Sequence, residues 1–140
     1  MKPAGQPKTL IGARGVTLSP ARFPIWALLL LVLMGLYWCT VNAVLEEMVW
    51  RWFVLRQLQA IVPSRNTAAL LAAAAFTLHH LVVVSAWLGP PATLGVNLTI
   101  FAAGGLWCRL TLRHQSVLPA CISHILADIA LVTLGLHLFF

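Results

Sequence analysis

Long apolar runs alternate with short polar segments along the chain. Between Arg65 and Arg109 no Asp, Glu, Lys or Arg occurs, and Gly89-Pro90-Pro91 interrupts this stretch with a turn signal. A helix needs about 20 apolar residues to cross a hydrocarbon core about 30 Å thick. Four stretches reach that length. The pattern therefore predicts four membrane-spanning helices, at residues 23–45, 67–88, 92–112 and 116–139.

Two segments of the chain do not follow this pattern. Residues 1–22 hold four cations, three prolines and three glycines without an apolar period, so we divide the chain into a polar basic tail at 1–23 and a transmembrane domain at 24–140. The mixed segment from Glu46 to Arg65 predicts an amphipathic helix that lies at the membrane interface and ends at Pro63-Ser64. A cleaved signal peptide is the alternative for the first run, which is longer than the roughly 7–15 apolar residues of a signal.

Composition supports a membrane protein. Hydrophobic residues make up 61% of the 140 residues and charged residues 9%, against roughly 45–50% and 25% in soluble domains. The net charge is +6, but the basic residues form no stripe on a polar face. This distribution argues against nucleic acid as a partner. The expected fold is all-α, an integral membrane bundle of about four transmembrane helices. We expect a multi-pass membrane protein.

The cations are nearly balanced between the two sides of such a bundle. The tail holds four cations. The opposite side holds five arginines, but Arg51 is expected to pair with Glu47. Cytoplasmic loops carry an excess of Lys and Arg, and the first helix usually dominates. We therefore predict a cytosolic tail, which places the end of the first span towards the periplasmic face.

All three acidic side chains lie beside or within the apolar runs. An ionisable group inside a bilayer costs at least about 2.5–3.5 kcal/mol, so it persists where a function or a buried partner offsets that cost. Three pairs have the i, i+4 spacing that puts two side chains on one helix face. The pairs are Glu47 with Arg51, Phe76 with His80, and His124 with Asp128. Together they predict one polar site between helices.

The same residues form three motifs in order. Glu46-Glu47-Met48-Val49-Trp50-Arg51 has the form EExxxR, Phe76 to His80 the form FxxxH, and His124 to Asp128 the form HxxxD. In this order on successive membrane helices they resemble the CPBP intramembrane proteases, the group that includes the CAAX prenyl endopeptidases. The resemblance covers about residues 24–139, and it departs from the family at Trp52, where a glycine is usual.

The resemblance implies a role for each motif residue. Glu46 would be the general base that activates water, and His80 and His124 would position that water and stabilise the oxyanion. Asp128 takes the place of the family's Asn or Asp beside the second histidine. The supporting residues would be Glu47 and Arg51, as an ion pair, and Phe76, packed beneath the site.

Three other readings stay open. Glu46, His80 and His124 could hold a catalytic zinc as a His₂Glu set, although we expect no metal or other cofactor. Cys121, His124 and Asp128 share a helix face and could form a cysteine protease. A non-enzymatic immunity or chaperone protein could use the same groups for structure. For the protease, the expected partners are a membrane-anchored polypeptide, prenylated or carrying a C-terminal sorting signal, and the bilayer.

Overall fold

The protein folds as four long helices. The computed structural model describes residues 10–11, 17–18 and 24–139, with side chains from 24 to 137. A two-residue antiparallel strand pair, β1 (Leu10–Ile11) and β2 (Thr17–Leu18), precedes the helices; the rest of the predicted tail lies outside the described residues. Each helix is long and apolar enough to cross a membrane, and they are α1 (Ile25–Ile61), α2 (Arg65–Ser85), α3 (Pro90–His114) and α4 (Leu118–Phe139). The all-α fold with four membrane helices is confirmed.

The separate interfacial helix predicted from Glu46 to Arg65 is wrong. Helix α1 continues through Glu46 without a break and reaches Ile61, a length of 37 residues. Charged residues end an apolar run, but they do not break a helical backbone. Between Ile25 and Ile61 the sequence has no proline and a single glycine, Gly35. At 1.5 Å per residue this helix is roughly 55 Å long, well beyond the thickness of a hydrocarbon core.

The winding of α1 changes on both sides of its two glutamates. The segments Trp38–Asn42 and Met48–Val54 are π-helical, and Ala43–Glu47 between them is α-helical. Wider π turns inside a longer helix are frequent at functional sites. The acidic pair thus lies in a short α-helical segment that is bounded by two such turns.

The helices form a ring around a narrow interior. Helix α2 packs along α3, α3 packs on α4, and α1 contacts both α2 and α4. In the described part of the chain α2 and α4 make at most marginal contact with each other. The first thirteen residues of α1, Ile25–Tyr37, bury no side chain, as expected of an apolar helix that faces lipid.

Small residues allow the closest contacts within the ring. Ala68, Ala69, Ala72 and Ala73 on α2 are all buried, and small residues of this kind let helix backbones approach closely. Gly104 on α3 has a similar role. A Cβ atom at Gly104 would lie 3.2 Å from Phe76 Cδ1, 3.4 Å from Arg51 Nη2 and 3.5 Å from Ala73 Cα.

Gly104 and Gly105 form a matched pair that tests this packing. In α3 a Gly→Ala change gains up to about 1 kcal/mol of helix propensity at either position. Only Gly104→Ala also overpacks the interior, which costs typically 1–3 kcal/mol, because a Cβ at Gly105 meets nothing within 4 Å. We expect Gly104→Ala to have the lower Tm in detergent. Equal Tm values for the two variants would contradict the packing.

Candidate active site

Two adjacent carboxylates on α1 occupy different environments. The Glu47 side chain is fully buried, whereas the Glu46 side chain keeps 19% of its surface exposed. Consecutive residues on a helix point about 100° apart. Glu47 therefore points into the ring interior, and Glu46 lines its accessible edge.

A buried ionic cluster surrounds Glu47. Arg51 Nη1 lies 2.9 Å from Glu47 Oε1, and both side chains are fully buried. The same oxygen lies 2.8 Å from His124 Nδ1, so one carboxylate oxygen joins α1 to α4. Arg51 Nη2 donates to the carbonyl oxygen of Gly104 on α3 at 3.5 Å. Glu47 thus behaves as a structural anion, since it is enclosed and its contacts tie three helices together.

Aromatic rings enclose this cluster. The Arg51 guanidinium lies 4.4 Å from the Phe76 ring centroid and 5.0 Å from that of Trp107. Trp107 is stacked on the His124 imidazole, with centroids 3.9 Å apart and planes inclined by 18°. Its indole Nε1 donates to Ser123 Oγ at 3.2 Å. The His124 ring is therefore held both on its face and at Nδ1.

Four motif side chains come together at Glu46. Glu46 Oε2 lies 3.9 Å from His80 Nε2 and 3.8 Å from His124 Nε2, and Asp128 Oδ1 lies 3.7 Å from His124 Nε2. These distances exceed a direct hydrogen bond but lie within the reach of a bridging water. Asn42, one turn earlier on α1, donates from Nδ2 to Glu46 Oε1 at 3.0 Å. Glu46 Oε2 is thereby left facing the two rings.

The contacts at Nδ1 fix the proton arrangement of the two imidazoles. His80 Nδ1 lies 3.0 Å from the Phe76 carbonyl oxygen, and His124 Nδ1 lies 2.8 Å from Glu47 Oε1. A carbonyl or carboxylate oxygen can only accept, so each Nδ1 carries the hydrogen. A neutral ring then presents a lone pair at Nε2, and Nε2 can donate only when the ring is doubly protonated. The two ring nitrogens that face Glu46 Oε2 are therefore acceptors unless a histidine is charged.

The accessible side of the site lies between α2 and α4. Side-chain exposure is 19% at Glu46, 25% at His80 and 18% at Asp128, against 5% at His124. The three exposed groups come from α1, α2 and α4, and the last two helices do not pack closely on each other. Glu46 can therefore be approached from this side without displacement of the buried cluster.

Two neighbouring residues stay outside the set. His79 lies on an exposed face of α2, beside the Trp50 ring at 5.8 Å, because consecutive residues on a helix point about 100° apart. For the cysteine protease reading, no hydrogen bond within residues 24–139 joins Cys121 to His124. His124 Nδ1 is instead directed to Glu47, which leaves Cys121 without an adjacent base.

Sequence reasoning missed three residues of the site. Trp107 and Gly104 lie on α3, which carries no motif, and Asn42 lies one turn before Glu46. Asn42 could have been found, because a polar side chain within an apolar run at i, i+4 to Glu46 repeats the spacing of the other pairs. The α3 contacts depend on tertiary packing, and no local pattern indicates them.

Whether a metal fits this site depends on the distances between its candidate ligands. In residues 24–137 no group of three His, Cys, Asp or Glu side chains is arranged closely enough to hold a metal ion. Tetrahedral zinc binds His nitrogen at about 2.0–2.1 Å, so three ligands around it would lie nearer to one another than the 3.8–3.9 Å found here. The absence of a cofactor stays a prediction.

Comparison with known proteins identifies the family. The family model described as type II CAAX prenyl endopeptidase Rce1-like matches residues 25–130, which are 106 of the 140 residues. No curated protein and no solved structure gives a match. The matched segment contains all four helices up to the residues just after Asp128, with every motif side chain of the site. The chain therefore belongs to the Rce1-like family of CAAX prenyl endopeptidases, within the CPBP group of intramembrane proteases.

Proposed function

We propose that the protein hydrolyses a peptide bond within the membrane by a glutamate mechanism, with Glu46 as the general base. The observation that carries this proposal is the position of Glu46 Oε2, which faces the Nε2 atoms of His80 and His124 at 3.9 and 3.8 Å. A water that donates to Glu46 Oε2 and His80 Nε2 and accepts from Nε2 of doubly protonated His124 fits these separations. Asn42 holds the other carboxylate oxygen, so the basic oxygen keeps a fixed direction.

The reaction begins with proton transfer from that water to Glu46. The water oxygen attacks the scissile carbonyl carbon, and a tetrahedral intermediate with a negative oxygen forms. When the C–N bond breaks, Glu46 returns the proton to the leaving nitrogen, and the products are a carboxylic acid and an amine. General base action of this kind contributes typically 10²–10⁴-fold to a rate.

The two histidines have different roles in this reaction. His80, with its Nδ1–H bound to a backbone carbonyl, presents a lone pair that accepts a hydrogen bond from the water. His124 donates from Nε2 to the oxyanion in its doubly protonated form, and Glu47 behind Nδ1 balances that charge. Fixed donors at a developing oxyanion are usually a large electrostatic contribution to such reactions.

The remaining motif residues position these groups. Glu47 and Arg51 hold His124 from behind, and Phe76 covers the guanidinium. Asp128 lies 3.7 Å from His124 Nε2, on the side away from the buried cluster, where it orients the ring edge that faces the substrate. Within residues 24–137, Asp128 accepts no hydrogen bond from a backbone N–H. We therefore propose that Asp128 acts by positioning His124.

The substrate we propose is a polypeptide anchored in the bilayer, either prenylated or carrying a C-terminal sorting signal. Support comes from the family and from the opening between α2 and α4, which faces the side where lipid would lie. We also propose a location in the bacterial inner membrane. A cytosolic tail, with the site towards the periplasmic face, remains a prediction.

A zinc-dependent endopeptidase that uses the same three residues is the second candidate. One observation favours it: each Nδ1–H is bound to an oxygen acceptor, and this arrangement commonly orients a zinc-binding imidazole. Glu46, His80 and His124 would hold the ion, which would supply Lewis acid chemistry. The present separations are too long for such a set, so we favour the metal-free mechanism.

Glu46→Gln tests the base directly. Gln retains an oxygen that can accept from Asn42, so the fold should survive, but it cannot take a proton from water. We expect cleavage of a membrane-anchored peptide by the purified protein in detergent to fall by about 10²–10⁴-fold, with an unchanged Tm. Full activity in this variant would contradict both protease mechanisms and would favour a non-enzymatic function.

Glu47→Gln is the matched control on the adjacent residue. The variant leaves the buried Arg51 guanidinium without its anion, and breaking a buried ion pair from one side costs about 3–5 kcal/mol. We expect a lower Tm as well as a lower rate, in contrast to Glu46→Gln. A normal Tm for Glu47→Gln would show that the buried cluster does not stabilise the bundle.

Trp107 is expected to act as a positioning residue for His124. Trp107→Phe keeps an aromatic face and should stay within a few-fold of the wild-type kcat, since such ring pairs are worth about 0.5–1.5 kcal/mol. Trp107→Leu removes the stack and should lower kcat by about tenfold with KM unchanged. A rise of KM alone, or equal activity of the two variants, would contradict the assignment.

Metal removal separates the two mechanisms. The glutamate mechanism predicts that exhaustive chelation, checked by metal analysis of the protein, leaves cleavage unchanged. The zinc mechanism predicts loss of activity that one equivalent of zinc restores. The same treatment of Glu46→Gln serves as the control, because restored cleavage there would come from metal bound elsewhere.

A further inference from the structure

The carboxylate of Asp128 can be reached from the accessible edge of the site and has no cationic partner other than a histidine. Its Oδ1 lies 3.7 Å from His124 Nε2, which is too long for a direct hydrogen bond. Within residues 24–137 it accepts no hydrogen bond, and 18% of its side-chain surface is exposed. In contrast to Glu47 Oε2, neither of its oxygens is a buried atom without a partner. An incoming group can therefore contact this carboxylate.

A second carboxylate borders the same ring nitrogen. His124 Nε2 lies 3.8 Å from Glu46 Oε2 on α1 and 3.7 Å from Asp128 Oδ1 on α4. The His124 side chain is 5% exposed, and in the described part of the chain its hydrogen bond is made by Nδ1, not by Nε2. The space in front of Nε2 is therefore bordered by negative oxygens from two helices.

The site as a whole has more negative than positive charge. All three acidic side chains of the sequence face it, and they are Glu46, Glu47 and Asp128. Among residues 24–137 their ion-pair partners are Arg51, His80 and His124. With His124 doubly protonated, as proposed above, and His80 neutral, three negative charges face two positive charges. One negative charge is therefore left without compensation.

This excess persists through the proposed reaction. When Glu46 takes a proton from the water, its carboxylate becomes neutral, and the negative charge moves to the oxyanion of the intermediate. The transfer changes the position of the charge but not the total. Because electrostatic interactions are stronger where water is excluded, a cation at this place is favourable before the attack on the carbonyl and after it.

Binding of a polypeptide increases the need for such a cation. The exposed part of Asp128 can be solvated by water only while the accessible edge is open. A polypeptide that covers this edge removes that water, and burial of a charge is costly unless the charge is paired and hydrogen-bonded. A neutral substrate would leave Asp128 unpaired, whereas a basic side chain of the substrate would supply its partner.

We propose that this edge of the site binds a basic side chain, Lys or Arg, of the polypeptide substrate. Asp128 is the specificity-determining residue, because its carboxylate accepts hydrogen bonds from the ammonium or guanidinium group. The inference rests on the proposed function, since it describes the substrate of the same site. Asp128 adjoins the proposed oxyanion partner, and each extended residue spans about 3.3–3.6 Å. The basic residue is therefore within about three positions of the scissile bond.

A peptide library tests the charge requirement. The peptides are anchored either by a farnesyl group or by an apolar C-terminal helix, carry randomised residues, and are cleaved by the purified full chain in detergent. Mass spectrometry of the products should show Lys and Arg enriched at one position near the cleaved bond. The best substrate is then compared with the same peptide carrying Gln at that position. We expect kcat/KM to be about tenfold or more higher for the basic peptide, the value of a charged hydrogen bond.

Two variants of Asp128 separate specificity from the positioning of His124. Asp128→Asn should bring the ratio of the two kcat/KM values close to one, whereas Asp128→Glu keeps the charge and should retain most of the ratio. A misplaced imidazole lowers cleavage of both peptides alike, so the ratio does not report it. A third peptide with Glu at the same position needs no variant. It should be the poorest substrate of the wild type.

The outcomes distinguish this inference from the proposed function. Cleavage that Glu46→Gln abolishes, but without a preference for the basic peptide or with the same preference in Asp128→Asn, would overturn the cation site alone. If no peptide is cleaved, the proposed function fails, and the affinities of the basic and neutral peptides for the wild type and Asp128→Asn then decide. Tighter binding of the basic peptide that is lost in Asp128→Asn would support the cation site, and equal binding would overturn it.

Discussion

The buried contact of Glu47 with Arg51 and His124 is the constraint around which the bundle is built. Taking charges out of water is costly, and their mutual attraction repays this only with excellent geometry and further hydrogen bonds. Here one carboxylate oxygen meets both partners at 2.9 and 2.8 Å. Helix α3 completes the arrangement, since the Gly104 carbonyl faces Arg51 Nη2 where a larger residue would block it.

This constraint explains why two adjacent glutamates have different roles. Once Glu47 points inward, the helical rotation of about 100° per residue places Glu46 at the edge of the ring. Glu46 then meets the Nε2 edges of rings whose Nδ1 atoms are already bound. The charge that stabilises the bundle and the carboxylate that we propose as the base are thus supplied by one turn of one helix.

Much of this arrangement could be predicted from the sequence. Length and apolarity are properties of each segment alone, so four spans were predicted, and the last three have boundaries within about three residues of the helices in the structure. The i, i+4 spacing also made the Glu47–Arg51 pair visible. The continuity of α1 was not predicted, because the sequence becomes more polar after the first apolar run although the helical backbone continues. Trp107 was not predicted because its contacts with Ser123 and His124 join two helices, and Ser123 is sixteen residues away in the sequence. The periodicity of a single helix does not indicate such contacts.

The two histidines differ in how firmly they are held, and this difference suits a site that must admit a polypeptide. His124 is stacked on Trp107, bound to Glu47 and almost fully buried, so its Nε2 is fixed by the bundle interior. His80 lies at the opening and is held by a carbonyl of its own helix. His80 can therefore be approached without displacement of the cluster behind His124. The ring that we propose as the oxyanion partner is thus the one held by the bundle interior, and the ring that we propose as an acceptor from water is the one at the accessible edge.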